Sequence, residues 1–182
     1  HHSAMRHVAP IRAELGVRTI FNLLGPLSNP ALVRRILVGV FDARWLQPFA
    51  EALRTLGTTD AFVVHGADGL DELSTTGSNQ ITMLKDGQIS KTTLHPSDLS
   101  LPTASLPDIK GGSAEENATA LRLLLSGKEG PYRDIVLMNA AAAFVAGGHE
   151  KEIVVGLERA RRSIDTKAAQ SALDQLISIT NE

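Results

Sequence analysis

Residues 35–65 spell strand, helix, strand, and few folds accommodate that order. Arg35 to Phe41 (RILVGVF) is a short β-rich apolar run. Asp42 then stands as the N-cap of a helix that sets Trp45, Phe49, Leu53 and Leu56 on one face. Pro48 inside that helix predicts a kink or a lengthened first turn. Gly57 closes it, and Asp60 to His65 (DAFVVH) is a second buried strand. A helix between two strands carries the chain back to where the first strand began, so the pair runs parallel. Parallel strands need both faces covered, and 182 residues at 43% hydrophobic supply a core large enough to do so.

The flanking patterns extend this unit. Asn79 to Leu84 and Ile89 to Leu94 alternate around Lys85-Asp86-Gly87-Gln88, and an Asp-Gly turn between alternating runs predicts a hairpin. Residues 95–110 hold three prolines and little periodicity, which predicts a long surface connection. Ser113-Ala114-Glu115-Glu116 is a capping box opening a helix through Leu125. Asp134 to Ala146 is apolar all round, hence a buried helix stopped by Gly147-Gly148. Glu150 to Ile179 predicts two amphipathic helices divided near Asp165-Thr166. At the other end, Val8, Ile11, Leu15, Ile20 and Leu24 predict two short helices broken at Gly16 and stopped by Gly25-Pro26. The expected fold class is α/β, a mostly parallel sheet with an antiparallel hairpin element and helices on both faces.

Composition narrows the function. Eighteen Lys and Arg against twenty Asp and Glu give a formal charge of -2, and with a pI near 6.3 no global cationic field gathers nucleic acid or an anionic membrane. The absence of Cys eliminates disulfides, thiolate-held zinc, iron–sulfur clusters and cysteine nucleophiles. A reducing compartment is thereby allowed, and the cytoplasm is the expected location. The apolar run Met138 to Ala146 falls far short of the roughly 20 residues a membrane span needs, and no signal-peptide core opens the chain. The opening His1-His2-Ser3-Ala4-Met5 reads either as a tag scar or as native sequence.

One constellation points to chemistry. His65-Gly66-Ala67-Asp68-Gly69-Leu70-Asp71-Glu72 lies just past the C-terminal end of a predicted parallel strand, the edge where open α/β sheets bind ligands. Asp71 and Glu72 are adjacent carboxylates on a glycine-flexed loop, which suits Mg²⁺ holding a phosphate or diphosphate; an acidic dipeptide in a loop is more often ordinary solvated surface. Arg12, with His2, Arg6 and His7, makes the amino-terminal segment locally basic. Its guanidinium fork fits a small carboxylate, although a solvated helix face explains the same spacing. Gly111-Gly112-Ser113 could hold an anion on free amides, but the capping box already occupies donors there. No Walker loop, GxGxxG, GxSxG or HExxH string is present.

The run HHSAMRHVAPIRAELGVRTIFNLLGPLSNP, taken with VHGADGLDELS and GGSAEENA, resembles the anthranilate phosphoribosyltransferases, and the likeness extends along essentially the whole chain in order. It implies that His1 and His2 are native. It also implies a small helical domain, to which residues 1–30 belong, and an α/β domain over residues 31–182. The reaction implied is displacement of diphosphate from 5-phosphoribosyl 1-diphosphate (PRPP) by the amine of anthranilate, in tryptophan biosynthesis, by a homodimer that uses Mg²⁺. By this resemblance Arg12 meets the anthranilate carboxylate, His2 lines the same channel, Pro26 borders the ring, and Asp71 and Glu72 bind Mg²⁺ beside the diphosphate. Ser3 stands where the family commonly has Pro. The GTGGD loop and KHGN segment with which such enzymes bind PRPP occur nowhere in this sequence, so the isolated chain is expected to be inactive. A pyrimidine nucleoside phosphorylase and a non-catalytic nucleic-acid-binding relative of the same fold are the competing expectations.

Overall fold

The computed structural model describes Glu14, Gly16 and residues 20–181. Four strands, β1 (Arg35–Gly39), β2 (Asp60–His65), β3 (Asn79–Lys85) and β4 (Gln88–Leu94), form one sheet in the order β1-β2-β3-β4. β1 pairs with β2 in parallel, Arg35 opposite Asp60 and Gly39 opposite Val64. The chain returns from β2 through residues 66–78 without a crossover helix, so β3 lies antiparallel to β2, and β4 antiparallel to β3. β1, β2 and β4 thus point one way and β3 opposes them. The expected parallel pair and hairpin are both present, although only one of the pairings between neighbouring strands is parallel. Asp86 and Gly87 at the hairpin tip have φ of 49° and 77°. Two left-handed residues in succession match the twist of the flanking strands.

The connection from β1 to β2 opens at Asp42, whose carboxylate accepts the Arg44 amide at 3.0 Å. A single 3₁₀ turn, Ala43–Trp45, precedes helix α2 (Leu46–Thr55). Pro48 sits in the first turn of α2, where its missing N–H is tolerated, so the helix runs on through it to Thr55. Leu46, Phe49, Ala50 and Leu53 pack on Val38, Val40, Ala61, Val63 and Leu84, covering one face of the sheet. Leu56, expected on that face, is 63% exposed because α2 ends at Thr55.

The opposite face is covered by helices from the C-terminal half. These are α4 (Ala114–Ser126), α5 (Pro131–Ala146), α6 (Ile153–Asp165) and α7 (Ala168–Thr180). Val64, Ile81 and Leu94 of the sheet meet Leu124, Leu137, Met138, Ala141, Ala142 and Leu157 of these helices in one continuous core. α5 begins at Pro131, earlier than the apolar pattern suggested, because proline is favoured at a first helical position. Ser113 caps α4 as predicted: its hydroxyl accepts the Glu116 amide at 3.2 Å, and Glu116 accepts the Ser113 amide at 2.7 Å.

Two expectations need correction. The helix α1 (Phe21–Leu27) runs through Gly25-Pro26, expected to stop it, and reaches its C-cap at Ser28; the proline forfeits one intrahelical bond. Residues 95–110 are more than a surface loop. A 3₁₀ turn at Pro96–Leu99 and the short helix α3 (Leu106–Ile109) fold within them, and Leu99 and Leu101 are buried against the second core. Of the expected helix before Gly16 only Glu14 is among the described residues, and it is helical. Among the described residues, no helix is long and apolar enough to cross a membrane.

Candidate functional site

β1 and β2 end side by side, and the segment leaving β2 folds back over both ends. The Gly66 amide donates to the Leu70 carbonyl at 2.8 Å, closing a tight loop around the 3₁₀ turn Ala67–Gly69. Asp68 and Gly69 have φ of 59° and 80°, the left-handed region that Asp and Gly enter at low cost. The chain then lies directly on two glycines. A Cβ at Gly39, the last residue of β1, would coincide with the Asp71 carbonyl, and one at Gly66 would strike the Glu72 carbonyl. The backbone of the acidic pair is therefore seated on the strand ends in a way no larger residue permits.

Beyond Glu72 the chain turns inward, and Leu73, Ser74 and Thr75 are fully buried. Their backbone groups need partners, and two asparagines provide them. Asn139 of α5 accepts the Leu73 amide at 3.0 Å and donates to the Leu73 carbonyl at 2.7 Å. Asn79, at the start of β3, accepts the Ser74 amide at 2.6 Å and donates to the Ser74, Gly77 and Leu94 carbonyls. His65 adds a tie beneath the loop, its Nδ1 lying 2.8 Å from the Val40 carbonyl. That carbonyl can only accept, so Nδ1 is the donor of this bond. The loop is thus braced from the sheet, from α5 and from the hairpin, while Asp71 and Glu72 themselves remain exposed.

Asp71 raises the cost of ionising its neighbour Glu72. The Glu72 carboxyl is pushed above its ordinary 4.5, first by the protein surrounding it and then by the charge of Asp71. Although the residue as a whole is exposed, its carboxyl is close enough to the loop to lose part of its hydration. Among the described residues neither carboxylate has a basic ion-pair partner. An adjacent, unneutralised pair is a donor set for a hard cation. Among the described residues no group of three or more His, Cys, Asp or Glu could cage a metal. Mg²⁺ ordinarily takes one or two carboxylates and completes its shell with water and substrate phosphates, so the pair fits that ion.

The other candidates fall elsewhere. Pro26 lies in α1 and shares a small cleft with Val33, Arg34 and Ile36, at the start of β1, whereas Asp71 sits over its end. The structure does not bring Pro26 and the acidic pair together. Arg12 and His2 lie outside the described residues. At Gly111-Gly112-Ser113 the Gly112 amide donates to Asn117 and the Ser113 amide to Glu116, so side chains occupy the donors an anion would need. Gly39, Asn79 and Asn139 were not expected at the site. Asn139 left a signal, being the single polar residue from Ile135 to Ala146, and a polar group in such a run requires a partner.

Residues 1–170 match the family model described as glycosyl transferase family, a/b domain. The chain belongs to that family. Within the glycosyl transferase family, it is 55% identical over 181 residues to anthranilate phosphoribosyltransferase of Parvibaculum lavamentivorans, covering 100% of this chain and 53% of that protein. The crystal structure of anthranilate phosphoribosyltransferase from Thermus thermophilus matches with a TM-score of 0.90 at 43% identity, over 100% of this chain and 54% of that one. The enzyme from Saccharomyces cerevisiae in complex with PRPP and Mg matches with a TM-score of 0.88 at 30% identity, over 97% of this chain and 51% of that one. The chain spans about half the length of the relatives it matches.

Proposed function

We propose that this chain is the part of an anthranilate phosphoribosyltransferase that holds the cation of the diphosphate leaving group. The observation that carries this reading is the seating of Asp71 and Glu72 on Gly39 and Gly66 at the ends of parallel strands. It is supported by the relatives named anthranilate phosphoribosyltransferase, and by the yeast relative being a complex with PRPP and Mg. These relatives favour neither a nucleoside phosphorylase nor a nucleic-acid-binding protein.

In the proposed reaction the anthranilate amine attacks C1 of the ribose as the bond to diphosphate breaks, with positive charge building on the ribosyl centre. When bound, Mg²⁺ would neutralise charge on the departing diphosphate. Asp71 and Glu72 would hold it, and their braced backbone would fix where it sits before substrate arrives, so little reorganisation remains for the reaction. Arg12 would clamp the anthranilate carboxylate with two parallel N–H donors, and His2 would line the same channel. Pro26, in α1, would border the ring. The proposal includes a homodimer associating through the helical domain, and a cytoplasmic setting.

Two assays test the reading. In the intact protein, Arg12→Ala should raise KM for anthranilate at least about tenfold, the loss of a bidentate charged contact, with KM for PRPP little changed. Equal effects on both substrates would remove the role assigned to Arg12. The 182-residue chain alone, lacking GTGGD and KHGN, should turn over negligibly. Full activity from it would sink the proposed division of labour.

A further inference from the structure

Leu73 begins the buried stretch behind the acidic pair, and its N–H belongs to the same peptide unit as the Glu72 carbonyl. That unit is held at both ends. Its carbonyl lies where a Cβ on Gly66 would strike it, and its N–H donates to the Asn139 side-chain oxygen at 3.0 Å. The preceding unit, between Asp71 and Glu72, rests with its carbonyl on Gly39 at the end of β1. A peptide unit is planar, so the backbone of a residue has two free rotations, one toward each neighbouring plane. With both planes seated, neither rotation at Glu72 is free, and the direction in which its side chain leaves the backbone is set.

Asn139 grips Leu73 as a neighbouring strand would, accepting from its N–H and donating to its carbonyl at 2.7 Å. The second amide hydrogen donates to the Ile135 carbonyl, one turn back in α5, at 2.9 Å. Both donors are thus used, and the reverse orientation of the amide would set them against the Leu73 N–H. The bond to Ile135 locks the side chain to a helix packed in the main core. Asn79 pairs instead with Ser74, Gly77 and Leu94, so of the two asparagines Asn139 is the one that holds the plane next to Glu72.

We propose that Asn139 is a positioning residue for cation binding: from α5 it fixes the peptide plane that aims the Glu72 carboxylate, and so sets how tightly the acidic pair holds a divalent cation. Its own polar atoms are spent on backbone groups, so it acts through Glu72 and not as a ligand. The inference rests on the reading of Asp71 and Glu72 as cation ligands. A carboxylate already aimed needs no ordering when the cation arrives, so releasing the plane weakens binding as well as the fold.

A double-mutant cycle, read by Mn²⁺ titration of the intact protein in the presence of PRPP with electron paramagnetic resonance, tests this. Asn139→Ala should weaken Mn²⁺ binding at least about fivefold in the otherwise unchanged protein and less than about twofold when Glu72→Gln is already present, because changes that act through one group do not add. Leu53→Ala opens a cavity in the core under α2, near the start of β1 and away from the loop, and should leave Mn²⁺ affinity unchanged although it too destabilises the protein. Circular dichroism checks that each variant is folded; should Asn139→Ala not fold, Asn139→Ser, which keeps a polar group at that position, is read in the same way. Equal weakening with and without Glu72→Gln overturns the proposal, as does unchanged affinity in the Asn139 variant or a matching loss in Leu53→Ala. If Glu72→Gln itself leaves Mn²⁺ binding unchanged, the reading of the acidic pair fails, and this inference with it.

Discussion

Asn139 is one side chain whose removal would be felt in two places. It closes both backbone groups of buried Leu73, immediately after the acidic pair. Asn139→Ala leaves those groups unpaired and should cost about 2–3 kcal/mol of unfolding free energy, measurable by urea denaturation. Gly39→Ala should be harsher, since its Cβ occupies the position of the Asp71 carbonyl and the loop must lift; a loss of about 3 kcal/mol together with cation affinity is expected. Asp134, in the first turn of α5, gives a pH signature. Burial raises its carboxyl above 3.8 against the lowering influence of Arg133 and Arg161, with Glu129 adding to the rise. The folded state therefore holds this proton more tightly, so its cost to stability is absent below pH 3.8 and complete above the raised value. Asp134→Asn should raise Tm near pH 7, and the two proteins should converge as pH falls below 3.8. A constant difference across that window would contradict the assignment. That Asp71 and Glu72 lie just past the end of β2 was legible in the sequence. Gly39 was not, because its constraint is a contact between residues far apart in sequence.

At the scale of elements, local signals were read best where local chemistry decides the structure. The Asp86-Gly87 turn and the Ser113 capping box formed as expected because each is satisfied within a few residues. Ser113→Ala should cost about 1 kcal/mol, the usual worth of an N-cap. Its effect on turnover should be within error, since α4 holds no part of the acidic loop; thermal denaturation and a rate assay on the same sample check both. One misread element had a tertiary cause. Residues 95–110 look like a loop by proline content, yet Leu99 and Leu101 are drawn into the core formed with the C-terminal helices.

At the scale of the molecule, the direction of β1 and β2 brings the acidic loop to one edge of the sheet. Parallel strands end together, and the loop leaving β2 reaches across to β1 within a few residues. The mixed sheet follows from the same connection: because residues 66–78 make the loop rather than a crossover helix, β3 can only return antiparallel. That arrangement was half legible, since sequence showed each strand but not the pairing of β3 with β2. The central claim is that Asp71 and Glu72 hold a divalent cation beside diphosphate. Mn²⁺ titration of the intact protein by electron paramagnetic resonance, in the presence of PRPP, tests it most directly. Asp71→Asn and Glu72→Gln should each weaken Mn²⁺ binding at least tenfold while leaving the fold intact; unchanged affinity in both variants would contradict it.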